Sequence, residues 1–336
     1  MKYLIAGLGS IGRRHLKMLR ELGEEDILLY RTHQSTLDDA ELAGLPVKTD
    51  LRDALDLGVG AVIVANPTSL HMDVAIPAAE AGCHILLEKP ISDDLSRVDE
   101  LRRAAQKSGS RILVGFQFRY HPTLNKAREL IRAGALGQIL TAHVHWGEYL
   151  PNWHPWEDYR QGYAARADLG GGVIGTLTHP LDYLRYLLGE VDELVALTGH
   201  ISPLELSGVE DVGEMALRFR SGAVGGVHVN YFQRPPVHRL EIVGTRGTLR
   251  WKNADGVLHH DFMPDEFGTW RANPAKSVHK DYLLPENFER NDLFRAQMKH
   301  FVEVAEGNAE PICTLEDGVR AVELVLAAKG KFVEKS

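Results

Sequence analysis

Residues 3–12 read Tyr-Leu-Ile-Ala-Gly-Leu-Gly-Ser-Ile-Gly, an apolar tetrad running straight into a Gly-x-Gly-x-x-Gly turn. Arg13–Leu22 follows with Leu16, Leu19 and Leu22 at helical spacing. Strand, glycine turn, helix is the setting in which this pattern binds a dinucleotide. Gly7 permits the tight turn, Gly9 lets the backbone approach a pyrophosphate, and Gly12 lets the helix pack close to the strand. The free N–H groups at the start of the helix, around Ser10 and Ile11, and the helix dipole then hold the phosphates.

Outward from this turn, short apolar runs alternate with helical patterns. Strands are expected at Asp26–Tyr30, Pro46–Lys48, Ala61–Ala65, His84–Leu87 and Arg111–Phe116, with helices at His71–Ala81 and Leu95–Ser108. Such alternation implies right-handed crossovers and a doubly wound parallel sheet over residues 1–119. After about residue 120 the rhythm changes. A helix over Leu124–Ala133, a half-buried strand over Ile139–Trp146 and an aromatic loop over Asn152–Leu169 precede a helix expected from Gly170–Gly172 to about Leu188. Successive strands then follow without intervening helices, and Leu293–Glu306 and Leu315–Lys329 read as closing helices. Residues 120–336 thus read as an α+β domain with an open, mostly antiparallel sheet, for substrate binding and oligomerisation.

Composition narrows the function classes. The 336 residues are 44% hydrophobic and 25% charged, ordinary for a soluble globular chain and long enough for about two domains. A net charge of −8 with no Lys/Arg run argues against nucleic acid. No stretch approaches the ~18 apolar residues of a spanning helix, so no membrane role and a cytoplasmic location are expected. The two cysteines, Cys83 and Cys313, form no CxxC pair, and no metal site is expected.

The second strand ends Leu29-Tyr30-Arg31-Thr32, with no acid to grip an adenosine ribose and a guanidinium suited to a 2′-phosphate, so NADP is favoured over NAD. Asn66-Pro67-Thr68 with His71, and Glu88-Lys89-Pro90, follow the fourth and fifth strands, at the strand ends where ligands of such sheets bind. Pro90 helps fix the aim of Lys89, whose ammonium can position a reacting alcohol.

The chain resembles the Gfo/Idh/MocA family, that of glucose–fructose oxidoreductase and inositol dehydrogenase. The matching pieces run in family order: GLGSIG at 7–12, ANPTSLH at 65–71, AGCHILLEKP at 81–90, GFQFRYHP at 115–122, GGGVIGTLTHPLDYL at 170–184 and GTRGTL at 244–249. The resemblance implies an N-terminal Rossmann domain, a nicotinamide cofactor, oxidoreduction of a sugar or cyclitol carbon, and an open C-terminal sheet that makes oligomer contacts. It maps the family lysine onto Lys89 and the family histidine onto His179, the expected catalytic pair. Inositol dehydrogenase-like members place an aspartate one helical turn before that histidine. Here Gly175 and Thr176 stand there, leaving Thr176 and Asp182, at i−3 and i+3 from His179, as candidate supports. Gln117 stands where many members have asparagine.

The aromatic segment before the glycine triplet offers flat rings for sugar faces and arginines for anionic groups. Arg119, Tyr149, Trp153, Trp156, Arg160 and Arg166 are the expected substrate contacts, with a lean towards an acidic or nucleotide-linked sugar. The expected function is NAD(P)-dependent oxidoreduction of a sugar-like secondary alcohol by a homodimer or homotetramer. A cofactor-using glycosidase acting by transient oxidation and a non-catalytic dinucleotide sensor are the alternatives.

Overall fold

The computed structural model describes residues 1–32, 40–263 and 277–330. The chain forms two compact units, each with its own sheet. The first comprises Met1–Gln117, Gln161–Gly171 and Glu289–Glu323. The second comprises Phe118–Arg160, Gly172–Phe288 and the chain from Leu324.

The first unit is built on β1 (Tyr3–Ala6), β2 (Ile27–Tyr30), β3 (Val47–Lys48), β4 (Ala61–Val64), β5 (His84–Leu87) and β6 (Ile112–Val114). All are parallel, in the order β3-β2-β1-β4-β5-β6. This is the doubly wound arrangement expected from the sequence. Every residue of β1 and β4 is buried, because crossover helices cover both faces of such a sheet. Those helices are α1 (Ser10–Glu21), α2 (Leu51–Leu55), α3 (His71–Glu80) and α4 (Val98–Ser108). The strand order reverses between β1 and β4, so the crevice beyond their carboxyl ends is the binding position of this topology.

The second unit opens with α5 (Pro122–Arg132) and β7 (Ile139–Tyr149), then α6 (Val173–Thr176) and α7 (His179–Leu188). The remaining strands are β8 (Val191–Gly199), β9 (Val212–Phe219), β10 (Val224–Asn230), β11 (Phe232–Gly244), β12 (Gly247–Lys252), β13 (Leu258–Phe262) and β14 (Val278–Tyr282). They form one sheet, β14-β13-β12-β11-β7-β10-β9-β8, antiparallel except where β7 pairs with β10. Burial alternates along β9: Met215, Leu217 and Phe219 face the core and Glu214, Ala216 and Arg218 face outward. The last helices return to the first unit: α8 (Arg290–Ala305) lies wholly in it and α9 (Leu315–Ala328) as far as Glu323. Among the described residues no helix is long and apolar enough to cross a membrane.

The single helix expected from Gly170–Gly172 to about Leu188 is two helices. α6 ends at Thr176 and α7 begins at His179, with Leu177 at ψ 40° between them. Pro180 explains the break. Inside a continuous helix its ring would clash with the Thr176 carbonyl, whereas in a first turn its missing N–H costs nothing.

Candidate active site

In the first unit the glycines of the turn separate by role. Gly7 has φ +91°, and a Cβ there would lie 2.5 Å from the Asn66 nitrogen. A Cβ on Gly12 would lie 1.9 Å from the Gly7 oxygen. A Cβ on Gly9, by contrast, meets nothing within 4 Å. Close packing therefore requires Gly7 and Gly12, whereas Gly9 faces the open space in which a pyrophosphate would lie against the start of α1. The protein's own geometry fits a dinucleotide here.

Three loops gather at the same strand ends. Asn66 and Thr68 follow β4, with Thr68 buried and the Asn66 side chain donating to the Leu70 carbonyl at 2.8 Å. His71 is buried, and its two ring nitrogens contact the Pro90 and Asn66 carbonyls at 3.0 and 2.9 Å. It ties the loop after β4 to the loop after β5, and desolvation holds its pKa below the ordinary histidine value. Its place in the site is therefore a scaffold for the loops. Glu88 is likewise buried, with Oε1 2.7 Å from His15 Nε2 on α1. Burial pushes the Glu88 carboxyl up, but the His15 hydrogen bond and charge, joined by Lys89, bring it below the ordinary value. Glu88 thus fastens α1 to the end of β5. The sequence reading missed His15, although a histidine on the buried face of α1, three residues after Gly12, was its signal.

Lys89 follows directly, half-buried, on a cis peptide bond to Pro90. Desolvation lowers its pKa, Glu88 opposes that shift, and Arg290 adds to it. Arg31 and Thr32 leave the end of β2, where the Arg31 N–H donates to the Lys48 carbonyl at 3.1 Å. Lys48 thus joins Arg31 at this edge, a second base that the sequence reading had not singled out. Gln117 is buried at the start of the turn after β6.

In the second unit His179 is the first residue of α7 and is buried. Phe118 meets its ring edge-on at 5.0 Å, and Trp146 lies nearly parallel to it at 5.7 Å. Trp146, on the inner face of β7, stacks in turn on His238 at 4.1 Å and 6°. The two are direct cross-strand partners in the β7–β11 pair. Trp146 Nε1 donates to Glu148 at 2.7 Å. Burial pushes His238 down to about 3 and His121, in the same aromatic cluster, down to about 4. Tyr183, whose pKa burial raises, keeps its proton and shares a hydrogen bond with His238 Nε2 at 3.1 Å. At neutral pH the wall behind His179 is therefore aromatic and uncharged. Periodicity gave no sign of this cluster, because its members come from four separate stretches of chain.

Asp182, three residues after His179, carries a buried ion pair: its carboxylate takes the Arg119 guanidinium, with Arg119 Nη2 2.6 Å from Oδ1 and Nε 3.1 Å from Oδ2. Arg119, an expected substrate contact, is committed to this pair, its side chain 4% exposed and that of Asp182 1%. The pair forms because a buried charge must find its counter-charge. Thr176 is buried at the end of α6. Arg160 pairs with Asp158 and Glu205, and Arg166 pairs with Asp168. These carboxylates balance the cationic segment that suggested an anionic substrate. Tyr149 lies under the Arg234 guanidinium at 4.2 Å, Trp153 packs edge-on to Tyr231 at 5.5 Å, and Trp156 is 64% exposed.

The family model for the oxidoreductase NAD-binding Rossmann fold matches residues 1–116, and that for the family's C-terminal alpha/beta domain matches residues 128–336. The chain belongs to the Gfo/Idh/MocA oxidoreductase family. It is a nicotinamide-dependent enzyme of that family. Among family relatives, the myo-inositol 2-dehydrogenase of Thermotoga maritima is 27% identical over an alignment covering 100% of this chain and 97% of its own. Two solved family structures share the fold. One is a levoglucosan dehydrogenase in complex with NADH and levoglucosan, with a TM-score of 0.83 at 22% identity over 98% of this chain and 96% of the other. The second is the WlbA dehydrogenase of Bordetella pertussis in complex with NADH and UDP-GlcNAcA, with a TM-score of 0.79 at 23% identity and the same coverage.

Proposed function

We propose that this enzyme transfers hydride between NADP(H) and a sugar-like secondary alcohol or its ketone, with Lys89 and His179 as the catalytic pair. The observation that carries the cofactor preference is the end of β2, where Arg31 is bonded through its backbone to Lys48 and the strand-end sequence Leu29-Tyr30-Arg31-Thr32 holds a base and no acid. The two solved relatives hold NADH, so the preference rests on these residues of this chain. The names of the inositol and levoglucosan dehydrogenases support a polyhydroxylated ring as substrate. The charge balance at Arg119, Arg160 and Arg166 favours a neutral one over an acidic one.

In the oxidation direction the alcohol carbon gives up a hydride and its hydroxyl gives up a proton. Bound dinucleotide supplies the hydride acceptor. The His179 imidazole takes the proton, as a group that ordinarily titrates near neutrality can, and returns it in the reverse direction. Lys89 stabilises the developing alkoxide, and its desolvation strengthens that interaction. The exposed apolar side chains Val195 and Leu197, 72% and 78% accessible on the outer face of β8, support a homodimer or homotetramer built on the open sheet.

Fluorescence titration tests the cofactor: NADPH binds more tightly than NADH, and Arg31→Asp removes the difference. Equal or tighter NADH binding by the unsubstituted protein refutes the preference. On a substrate found by sugar-panel screening, His179→Ala and Lys89→Ala each lower single-turnover hydride transfer, the former by about 10²–10⁴-fold, with cofactor binding kept. Unimpaired turnover in both variants refutes the pair.

A further inference from the structure

Outside the candidate active site, the outer face of the β13–β14 pair gathers four side chains. The sequence repeats His-x-Asp, at His259–Asp261 on β13 and His279–Asp281 on β14. Antiparallel register sets His259 opposite Asp281 and Asp261 opposite His279. Alternation along each strand puts all four on one face, while Leu258 and His260 turn to the core. Two imidazole nitrogens converge on a single carboxylate oxygen: His259 Nδ1 and His279 Nε2 lie 2.6 and 2.7 Å from Asp281 Oδ1. The two rings are near-parallel with centroids 5.6 Å apart.

We propose that His259, His279 and Asp281 form a divalent transition-metal site of the zinc(II) class. Among the described residues they are the set of three whose ligand atoms lie within 4.8 Å of one another. The donor set, two imidazoles and a carboxylate, is one that zinc takes, with a fourth position left to water. Asp261 supplies the orienting partner such ligands need, since its Oδ1 holds His279 Nδ1 at 2.7 Å. Arg250, on β12, pairs with Asp261 and offsets its charge, so the ligand set itself carries the single negative charge of Asp281.

Hydrogen-bond geometry shows why a cation suits this place. With His279 Nδ1–H committed to Asp261, a neutral ring turns its Nε2 lone pair towards the Asp281 oxygen, an arrangement unfavourable for both atoms. One metal ion between them accepts both lone pairs at once, with His259 Nδ1, 2.6 Å from the same oxygen, as the third donor.

The test uses the full chain, stripped with chelator and titrated at pH 7.5 with zinc chloride by calorimetry and with cobalt(II) by visible absorption. One equivalent binds, and the cobalt band and the zinc heat are lost in His279→Ala and in Asp281→Ala. Asp261→Asn weakens zinc by about 10–100-fold, and His143→Ala, on the same sheet face, leaves it unchanged. Circular dichroism checks that each variant is folded. Absence of a stoichiometric zinc heat in the unsubstituted protein, or the same stoichiometry and affinity in the folded His279→Ala and Asp281→Ala variants, overturns the proposal.

Discussion

Replacing Asp182 by alanine removes the carboxylate that the Arg119 guanidinium meets at 2.6 Å. Neither side chain is more than 4% exposed, so water cannot substitute for the lost partner. Stranding a buried charge in this way costs about 3–5 kcal/mol, a large share of the roughly 5–15 kcal/mol that holds a typical protein folded. At a urea slope of about 2 kcal/mol/M the midpoint falls by about 2 M. Tryptophan fluorescence is the assay, because Trp146 and Trp251 are buried in the same unit as the pair. Asp182→Asn keeps the volume but not the charge and falls nearly as far. The double variant Arg119→Met/Asp182→Leu recovers most of the loss, because two apolar side chains leave no charge to desolvate. Closing the cycle with the single variants Arg119→Met and Asp182→Leu, each of which strands the opposite charge at a cost of about 3–5 kcal/mol, gives a coupling energy of at least about 3 kcal/mol. A coupling below about 0.5 kcal/mol, or an Asp182→Ala variant that lowers turnover without moving the midpoint, refutes this reasoning and returns Asp182 to His179.

The glycine turn gives a paired expectation. Gly9→Ala folds with an unchanged melting temperature but loses at least tenfold in NADPH affinity, whereas Gly12→Ala, whose Cβ would lie 1.9 Å from the Gly7 oxygen, loses thermal stability as well. Thermal melts beside fluorescence titrations check it, and equal stability losses in the two variants contradict it. Acid lability follows from the buried imidazoles. His121 and His238, held down to about 4 and about 3, stay neutral in the fold while the unfolded chain takes up their protons below about pH 6.5. The unfolded state then binds more protons, so stability drops as pH falls towards 4, by about 1.4 kcal/mol per pH unit for each group, and His71 adds in the same direction. Urea midpoints at pH 7.5, 6 and 5 measure the slope. A flat profile rules it out, and His121→Phe removes one group's share of the slope while His238 and His71 keep theirs.

By itself the sequence determined whatever depends on neighbours along the chain. The tetrad and turn at residues 3–12, followed by helical spacing in α1, specified strand, phosphate loop and helix, because each of those residues acts through local geometry. The alternation of apolar runs and helices likewise specified the parallel sheet, and the run of strands from β8 onward the open antiparallel one. The tertiary structure alone decided which partners distant side chains take. Asp182 sits at helical spacing from His179, but burial gave it to Arg119, 63 residues away in sequence, because an unpaired buried charge costs more than any local orientation gains. Pro180 was legible as a residue, but only the fold turned it into a break that starts α7 at His179. The stack of Trp146 on His238 exists because β7 and β11 lie side by side in register, and the fastening of Glu88 to His15 because α1 and β5 meet. Local pattern fixes backbone form, whereas pairing across the chain is settled by desolvation, which acts only once the chain has folded on itself.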